Sequence, residues 1–275
     1  MQKQIVFRIY GIAFLATIIM LFIFVFLNRH FDGTIWNDMQ ISKSALTAEY
    51  CELNQTNKLF HQSSNTYSNL AYFFLGMLAI LISFYDRKDK SNLNKNLIQQ
   101  FPLVSFFFGC CLIYLCFGSS FFHASLTWVG QRVDMNGTYS ICITLIGMSG
   151  YRLFSKEKPL LEPKTQRFII LFLVVTIAAF VGLHLLVPST ILLPLIVGIL
   201  ITLTTINYFK NKEKFNVQLA ILSLLLMIAA FALRTIDVKK IACNPTSLYQ
   251  GHALWHVFTS MSAFLLYWFY RSEKV

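Results

Sequence analysis

The chain has 275 residues, of which 56% are hydrophobic and only 13% charged, where soluble globular domains run at about 45–50% apolar and about 25% charged. This excludes a soluble fold, a disordered chain and a disulfide-stapled mini-domain, and describes an all-α protein that crosses a membrane many times. The net charge of +11 then reads as basic loops holding helix ends at the cytoplasmic surface, with no nucleic-acid partner implied.

A helix needs roughly 20 apolar residues to cross the hydrocarbon layer, and eight stretches provide them. The first, Ile9 to Asn28, follows Lys3 and Arg8. A secretory signal opens with similar charges, but its apolar core is about 7–15 residues long and ends in a small-residue cleavage site. Asn28-Arg29-His30-Phe31 offers no such site, so the stretch is read as a transmembrane anchor. A polar segment holding Glu49, Glu52, Asn54 and Asn65 leads into the second span, Thr66 to Tyr85. The third and fourth, Phe101 to His123 and Val133 to Tyr151, are joined by the short turn Ala124 to Arg132. A hairpin broken at Pro188 contributes Phe168 to Val187 and Thr190 to Phe209, and the last two spans are Val217 to Leu233 and Gly251 to Tyr270.

With alternate crossing, sixteen of the 23 Lys and Arg residues fall on the side of Lys3 and Arg8, and seven on the other. The basic excess predicts that both termini are cytoplasmic. The segment from Glu49 to Asn69 then begins on the outer side: periplasm, lumen or cell exterior.

Four cysteines, Cys110, Cys111, Cys116 and Cys142, lie inside apolar spans, where a thiol behaves as a small hydrophobe. Cys51 and Cys243 are the two in loops, and the topology brings both to the outer, oxidising side. A disulfide between them is predicted; two free thiols are the alternative.

Ionisable side chains within spans are costly and mark functional sites facing the bundle interior. Here His123 ends the third span at the outer level, Asp134 begins the fourth there, and His252 and His256 begin the eighth. Residues four apart share one helix face, so His252 and His256 can present ring nitrogens to one point, and Ser119 shares that spacing with His123. Three imidazoles leave one of zinc's four tetrahedral positions open, and an ion so held lowers the pKa of its water to about 7 and polarises a carbonyl. Taken singly, each feature has a plainer role: interfacial packing for the histidine pair, helix capping for Asp134, helix packing for Ser119. His184 has no partner at helical spacing and is read as structural, and His30 and His61 as loop residues.

The run Gly118-Ser119-Ser120-Phe121-Phe122-His123, then Asp134, then His252-Ala253-Leu254-Trp255-His256 closely resembles the alkaline ceramidases. Glu49-Tyr50-Cys51-Glu52-Leu53-Asn54 and Ser64-Asn65-Thr66-Tyr67-Ser68-Asn69 resemble their amino-terminal motif. The likeness covers about Glu49 to the carboxyl terminus. It implies membership of a superfamily of seven-helix zinc-dependent membrane hydrolases that includes adiponectin-receptor-type proteins. It also implies zinc on His123, His252 and His256, Ser119 and Asp134 beside the activated water, and the Cys51–Cys243 disulfide.

The resemblance further implies calcium held by Glu49, the Tyr50 carbonyl, Glu52, Asn54 and Gln62. Here a family aspartate is replaced by Glu49 and a family glutamate by Gln62, which removes a negative charge from a hard-cation site; a solvated acidic loop is the alternative. The larger departure is the extra first span. The expected architecture is thus a seven-transmembrane-helix bundle, residues 31–275, behind an amino-terminal anchor helix, residues 1–30.

The expected function is hydrolysis of the amide of ceramide or a related N-acyl sphingoid lipid, giving a fatty acid and a free base, with the active site near the outer side. An ester lipase on the same site is the nearest rival. A seven-helix receptor with structural zinc, or a transporter using these polar residues, is the rival from another class.

Overall fold

The computed structural model describes residues 3–47, 49–88, 95–154 and 163–275, with the side chains of Pro163 and His184 outside the description. Among the described residues the fold is all-helical apart from one isolated bridge between Ile41 and Thr127. Eight helices are long: α1 (Lys3–His30), α4 (Leu70–Lys88), α6 (Pro102–Ser125), α7 (Trp128–Phe154), α8 (Pro163–Leu186), α9 (Ser189–Lys210), α10 (Val217–Val238) and α11 (Gly251–Arg271). Three short ones, α2 (Lys43–Leu46), α3 (Ser63–Ser68) and α5 (Leu97–Gln100), lie in the connections.

Among the described residues six segments are long and apolar enough to cross a membrane: α1, the run Ser63–Lys88 formed by α3 and α4, α6, Lys164–Leu183 of α8, α9 and α10. The chain is a multi-pass membrane protein. The other two long helices, α7 with 27 residues and α11 with 21, are the polar ones, and they are central. They bury Asn136, Ser140, Thr144 and Ser149, and His252, His256, Thr259, Ser260 and Ser262. A helix ringed by other helices need not be apolar all round. Apolar side chains instead coat the outer helices, with Phe14 and Phe22 of α1, Leu171 and Phe172 of α8 and Leu225 and Ile228 of α10 exposed.

Small residues let the inner helices touch. A Cβ on Gly76 of α4 would lie 2.8 Å from the Gly109 carbonyl oxygen of α6, and one on Gly109 would lie 2.7 Å from the Gly76 oxygen. Where α10 meets α11, a Cβ on Gly251 would lie 2.7 Å from the Leu233 oxygen.

At the carboxyl-terminal end of α11 two buried ion pairs hold the chain, Arg271 with Asp86 and Arg152 with Glu273, each at 2.6 Å. Asn96 donates to the carbonyls of both Arg271 and Glu273. Ile9 of α1 packs beside Ile82 of α4, with Trp268 of α11 alongside, so the two ends of the chain share one face.

Some boundaries differ from expectation. α7 begins at Trp128 rather than Val133, leaving Leu126 and Thr127 as the turn. Leu126 is left-handed, with φ 53°, and its N–H returns to the Phe122 carbonyl. Asp134 therefore sits in the second turn of α7, inside the helix, and the capping role does not apply. The second span begins at Ser63 and is interrupted at Asn69. His30 is the last residue of α1, stacked on Phe26 with ring centroids 4.0 Å apart, rather than a loop residue.

Gly109→Val should destabilise the bundle by about 1–3 kcal/mol, because two backbones must separate to admit the side chain. Gly150→Ala, where nothing lies within 4 Å of the added Cβ, should leave the melting temperature of detergent-purified protein unchanged or slightly raised.

Candidate metal centre

The centre is assembled where α6 ends and α11 begins. α6 delivers Ser119 and His123 one turn apart at its carboxyl-terminal end, and α11 delivers His252 and His256 in its first two turns. All three imidazoles are buried. His123 Nε2 and His252 Nε2 lie 3.2 Å apart, and one ligand nitrogen from each of the three rings lies within 4.8 Å of the others. Among the described residues this is the one group of three or more potential metal ligands so arranged.

Protonation follows from the neighbours. Gln62 donates its amide N–H to Asn54 Oδ1 at 2.8 Å, so its carbonyl oxygen is the atom 2.7 Å from His123 Nδ1. That oxygen only accepts, and therefore His123 carries its proton on Nδ1. Ser68 gives its hydroxyl proton to the Asn65 carbonyl at 2.9 Å, leaving its oxygen to accept from His256 Nδ1 at 2.8 Å. Both rings thus turn bare Nε2 lone pairs inward. His252 has no hydrogen-bond partner at Nδ1; it is held by the Tyr50 ring, stacked at 3.8 Å and 21°.

Buried lone pairs converging on one point are unfavourable without a positive centre between them. Two nitrogens on one tetrahedral ion at about 2.0–2.1 Å would sit roughly 3.3–3.4 Å apart, close to the His123–His252 spacing. The residues therefore fit a metal ion. The Ser119 hydroxyl lies 3.5 Å from His256 Nε2 and faces the Asp134 carboxyl, so the two sequence-matched polar groups join the histidines.

The segment from Glu49 to Gln62 closes over the centre. Cys51 and Cys243 stand as a disulfide pair with Cα atoms 5.7 Å apart. Glu49 pairs with Arg234 of α10 at 3.0 Å, and the Cys51 N–H donates to Asp237 Oδ2 at 3.1 Å. Burial pushes the Tyr50 phenol up, as does the nearby Glu49 charge.

Four of the five residues singled out for calcium have side chains bonded to protein groups. Glu49 faces a guanidinium, and Glu52 accepts from the Ser64 and Asn65 N–H groups at 2.6 and 2.9 Å, at the start of α3. Burial pushes the Glu52 carboxyl above its ordinary range, and those N–H donors oppose the shift. Asn54 and Gln62 bond each other, and the Tyr50 ring lies against His252. So arranged, these side chains give their oxygens to protein partners, whereas a calcium ion takes 6–8 oxygens.

The sequence reading had overlooked Ser68, Gln62 and the Tyr50 ring as supports of the histidines. The polar run Ser63–Asn69 at the mouth of an apolar helix is a signal for Ser68; Tyr50 and Gln62 lie before it.

Beneath the centre lies an apolar cavity of about 270 Å³ between α7, α9, α10 and α11. Tyr72 and Thr259, hydrogen-bonded at 2.6 Å, stand at its upper end one turn from His256, and Tyr208 and Val217 mark its lower end. α10 packs chiefly on α11, and α9 on α7, so α9 and α10 make little contact with each other.

These features make a buried three-histidine group that could hold a metal ion. The model of the ceramidase family matches residues 42–273. The chain belongs to that family and is a hydrolase of the ceramide amide bond, acting on a lipid substrate. Against curated proteins it shows no significant match.

Purified protein should carry one transition-metal ion per chain. The His252→Ala, His256→Ala double variant should carry almost none while keeping its helix content. Elemental analysis alongside circular dichroism checks both.

Proposed function

We propose that the chain is a zinc-dependent intramembrane hydrolase that splits ceramide, or a related N-acyl sphingoid lipid, into a fatty acid and a free sphingoid base at the outer side of the membrane. The observation that carries this reading is the convergence of three buried imidazoles, Ser119 and Asp134 above an apolar cavity. Zinc suits a neutral imidazole set and a reaction without redox change.

His123, His252 and His256 would hold the ion, and Gln62 and Ser68 keep two of those rings in the ligating tautomer. When bound, such an ion supplies Lewis acidity at the carbonyl oxygen and lowers the pKa of water. Ser119 donates a hydrogen bond to the substrate carbonyl oxygen as negative charge gathers there. Asp134 takes a proton from the attacking water and returns it to the nitrogen. One water is consumed: its hydroxyl joins the acyl carbon as the C–N bond breaks, and its other proton leaves with the amine.

Substrate reaches the site through the weakly packed α9–α10 boundary, directly from the bilayer. The acyl chain lies in the cavity against Leu145, Leu200, Leu224 and Leu266, and the amide rests near Thr259 and the centre. The excess of basic residues on the opposite face supports an outward-facing site.

Fatty-acid release from ceramide and from an ester lipid, assayed side by side on detergent-purified protein, tests the proposal. Wild type should cleave ceramide faster. Ser119→Ala should lose about 10²–10³-fold in kcat, and Asp134→Asn about 10²–10⁴-fold, with metal retained in both. Faster ester cleavage would reassign the substrate class, and undiminished turnover in Asp134→Asn would overturn the mechanism.

A further inference from the structure

The family match begins at residue 42, which leaves α1 and the turn Gly33–Trp36 outside it. Both nevertheless touch the segment that supports the metal ligands. Phe24 is one of three buried apolar residues on α1, with its ring 5.6 Å from Phe60 and 6.4 Å from Tyr67. One turn on, Asn28 Oδ1 accepts from the Phe60 N–H at 2.9 Å, and its amide nitrogen reaches the Tyr67 hydroxyl at 3.5 Å.

The turn after α1 makes a second attachment. The Trp36 indole N–H donates to the Leu59 carbonyl at 2.9 Å, and its ring packs on Phe121 of α6. Gly33 lies so close to the Thr56 and Lys58 carbonyls and the His61 ring that a side chain there would collide with all three. Residues 59–67 are therefore gripped from outside by backbone hydrogen bonds to α1 and its turn. From inside, the His61 and Gln62 N–H groups donate to the Ala124 and His123 carbonyls at the end of α6.

Within or directly after this gripped stretch stand Gln62 and Ser68, the acceptors that hold His123 and His256 in their ligating tautomers. An asparagine in an otherwise lipid-facing helix is costly unless its amide is used. Here it caps a backbone N–H two residues from the one side chain that orients His123.

We propose that the amino-terminal helix is part of the metal centre's support: Asn28 and Trp36 are positioning residues that, by fixing residues 59–67, set the affinity and geometry of the ion held by His123, His252 and His256. The inference rests on the metal reading of those histidines. It assigns to α1 a role beyond anchoring, one that a cation-organised outer segment would not need.

Three variants of the full chain test it: Asn28→Leu, which removes both hydrogen bonds at similar volume; Trp36→Phe, which keeps the ring and removes the donor; and Asn28→Asp, which keeps the acceptor for Phe60. Phe22→Ala, on the exposed face of α1, is the control. Metal affinity is read by competition with a chromophoric chelator, and ligand geometry from the visible absorption of the cobalt(II)-loaded protein. Replacing groups behind metal ligands weakens binding about 10–100-fold. One bond further out, Asn28→Leu and Trp36→Phe should each weaken it about 3–10-fold and alter the cobalt spectrum, while Asn28→Asp and Phe22→Ala match wild type.

Unchanged affinity and spectrum in Asn28→Leu and Trp36→Phe would overturn the inference. So would metal loss that merely follows unfolding, read on the same samples by circular dichroism, or equal loss in Phe22→Ala. Wild-type protein that binds neither zinc nor cobalt would instead overturn the metal reading itself.

Discussion

Three imidazoles buried in a membrane bundle with their Nε2 atoms facing one point are a costly arrangement, stable only if each ring is held from behind. The rest of the structure answers that demand. His123 is held by Gln62, His256 by Ser68 and His252 by the stacked ring of Tyr50. All three supports come from residues 50–68, which explains why this segment is tied down by an ion pair, a disulfide and backbone bonds to the end of α6. Without it the rings would lose their fixed tautomers, and with them a preformed ligand set.

The same demand orders the bundle. Polar side chains that bind or position must face inward, so α7 and α11 are the least apolar of the long helices and occupy the middle. The outer helices carry the lipid-facing surface. Close glycine contacts between α4 and α6 and between α10 and α11 pack each ligand-bearing helix tightly against a neighbour. At the opposite face the buried pairs Arg271–Asp86 and Arg152–Glu273 fix the axial register of α11 against α4 and α7. Buried ion pairs add little net stability, but breaking one is expensive. A slip of one turn in α11 would both break these pairs and withdraw His252 and His256.

The outer segment also explains how the calcium expectation fares. Side-chain oxygens of Glu49, Glu52, Asn54 and Gln62 already have a protein partner, and the Gln62 amide bridges Asn54 and His123. A carboxylate at position 62 could not donate to Asn54, so the amide is what lets this segment link to the centre through hydrogen bonds alone. Contacts from α1 supply further order from outside the region shared with the family.

Much of the architecture was legible in the sequence because lipid imposes a local rule: each outer helix needs a long apolar run, and charged loops mark its ends. The convergence of His123, His252 and His256 followed from alternate crossing and i, i+4 spacing, and Cys51 and Cys243 stood out as the two loop cysteines. The start of α7 was misread because its first turn, Trp128 to Arg132, lies near the bundle end and carries Gln131 and Arg132. That misreading put Asp134 at a helix end instead of inside the second turn. Gln62 and Ser68 are 61 and 188 residues from the histidines they support, and nothing in local periodicity names such partners. Composition and spacing determined which helices form and which residues gather at one end of the bundle; only the tertiary structure decided which side chain stands behind which ring, because that depends on the crossing and register of packed helices, set by contacts between residues distant in sequence.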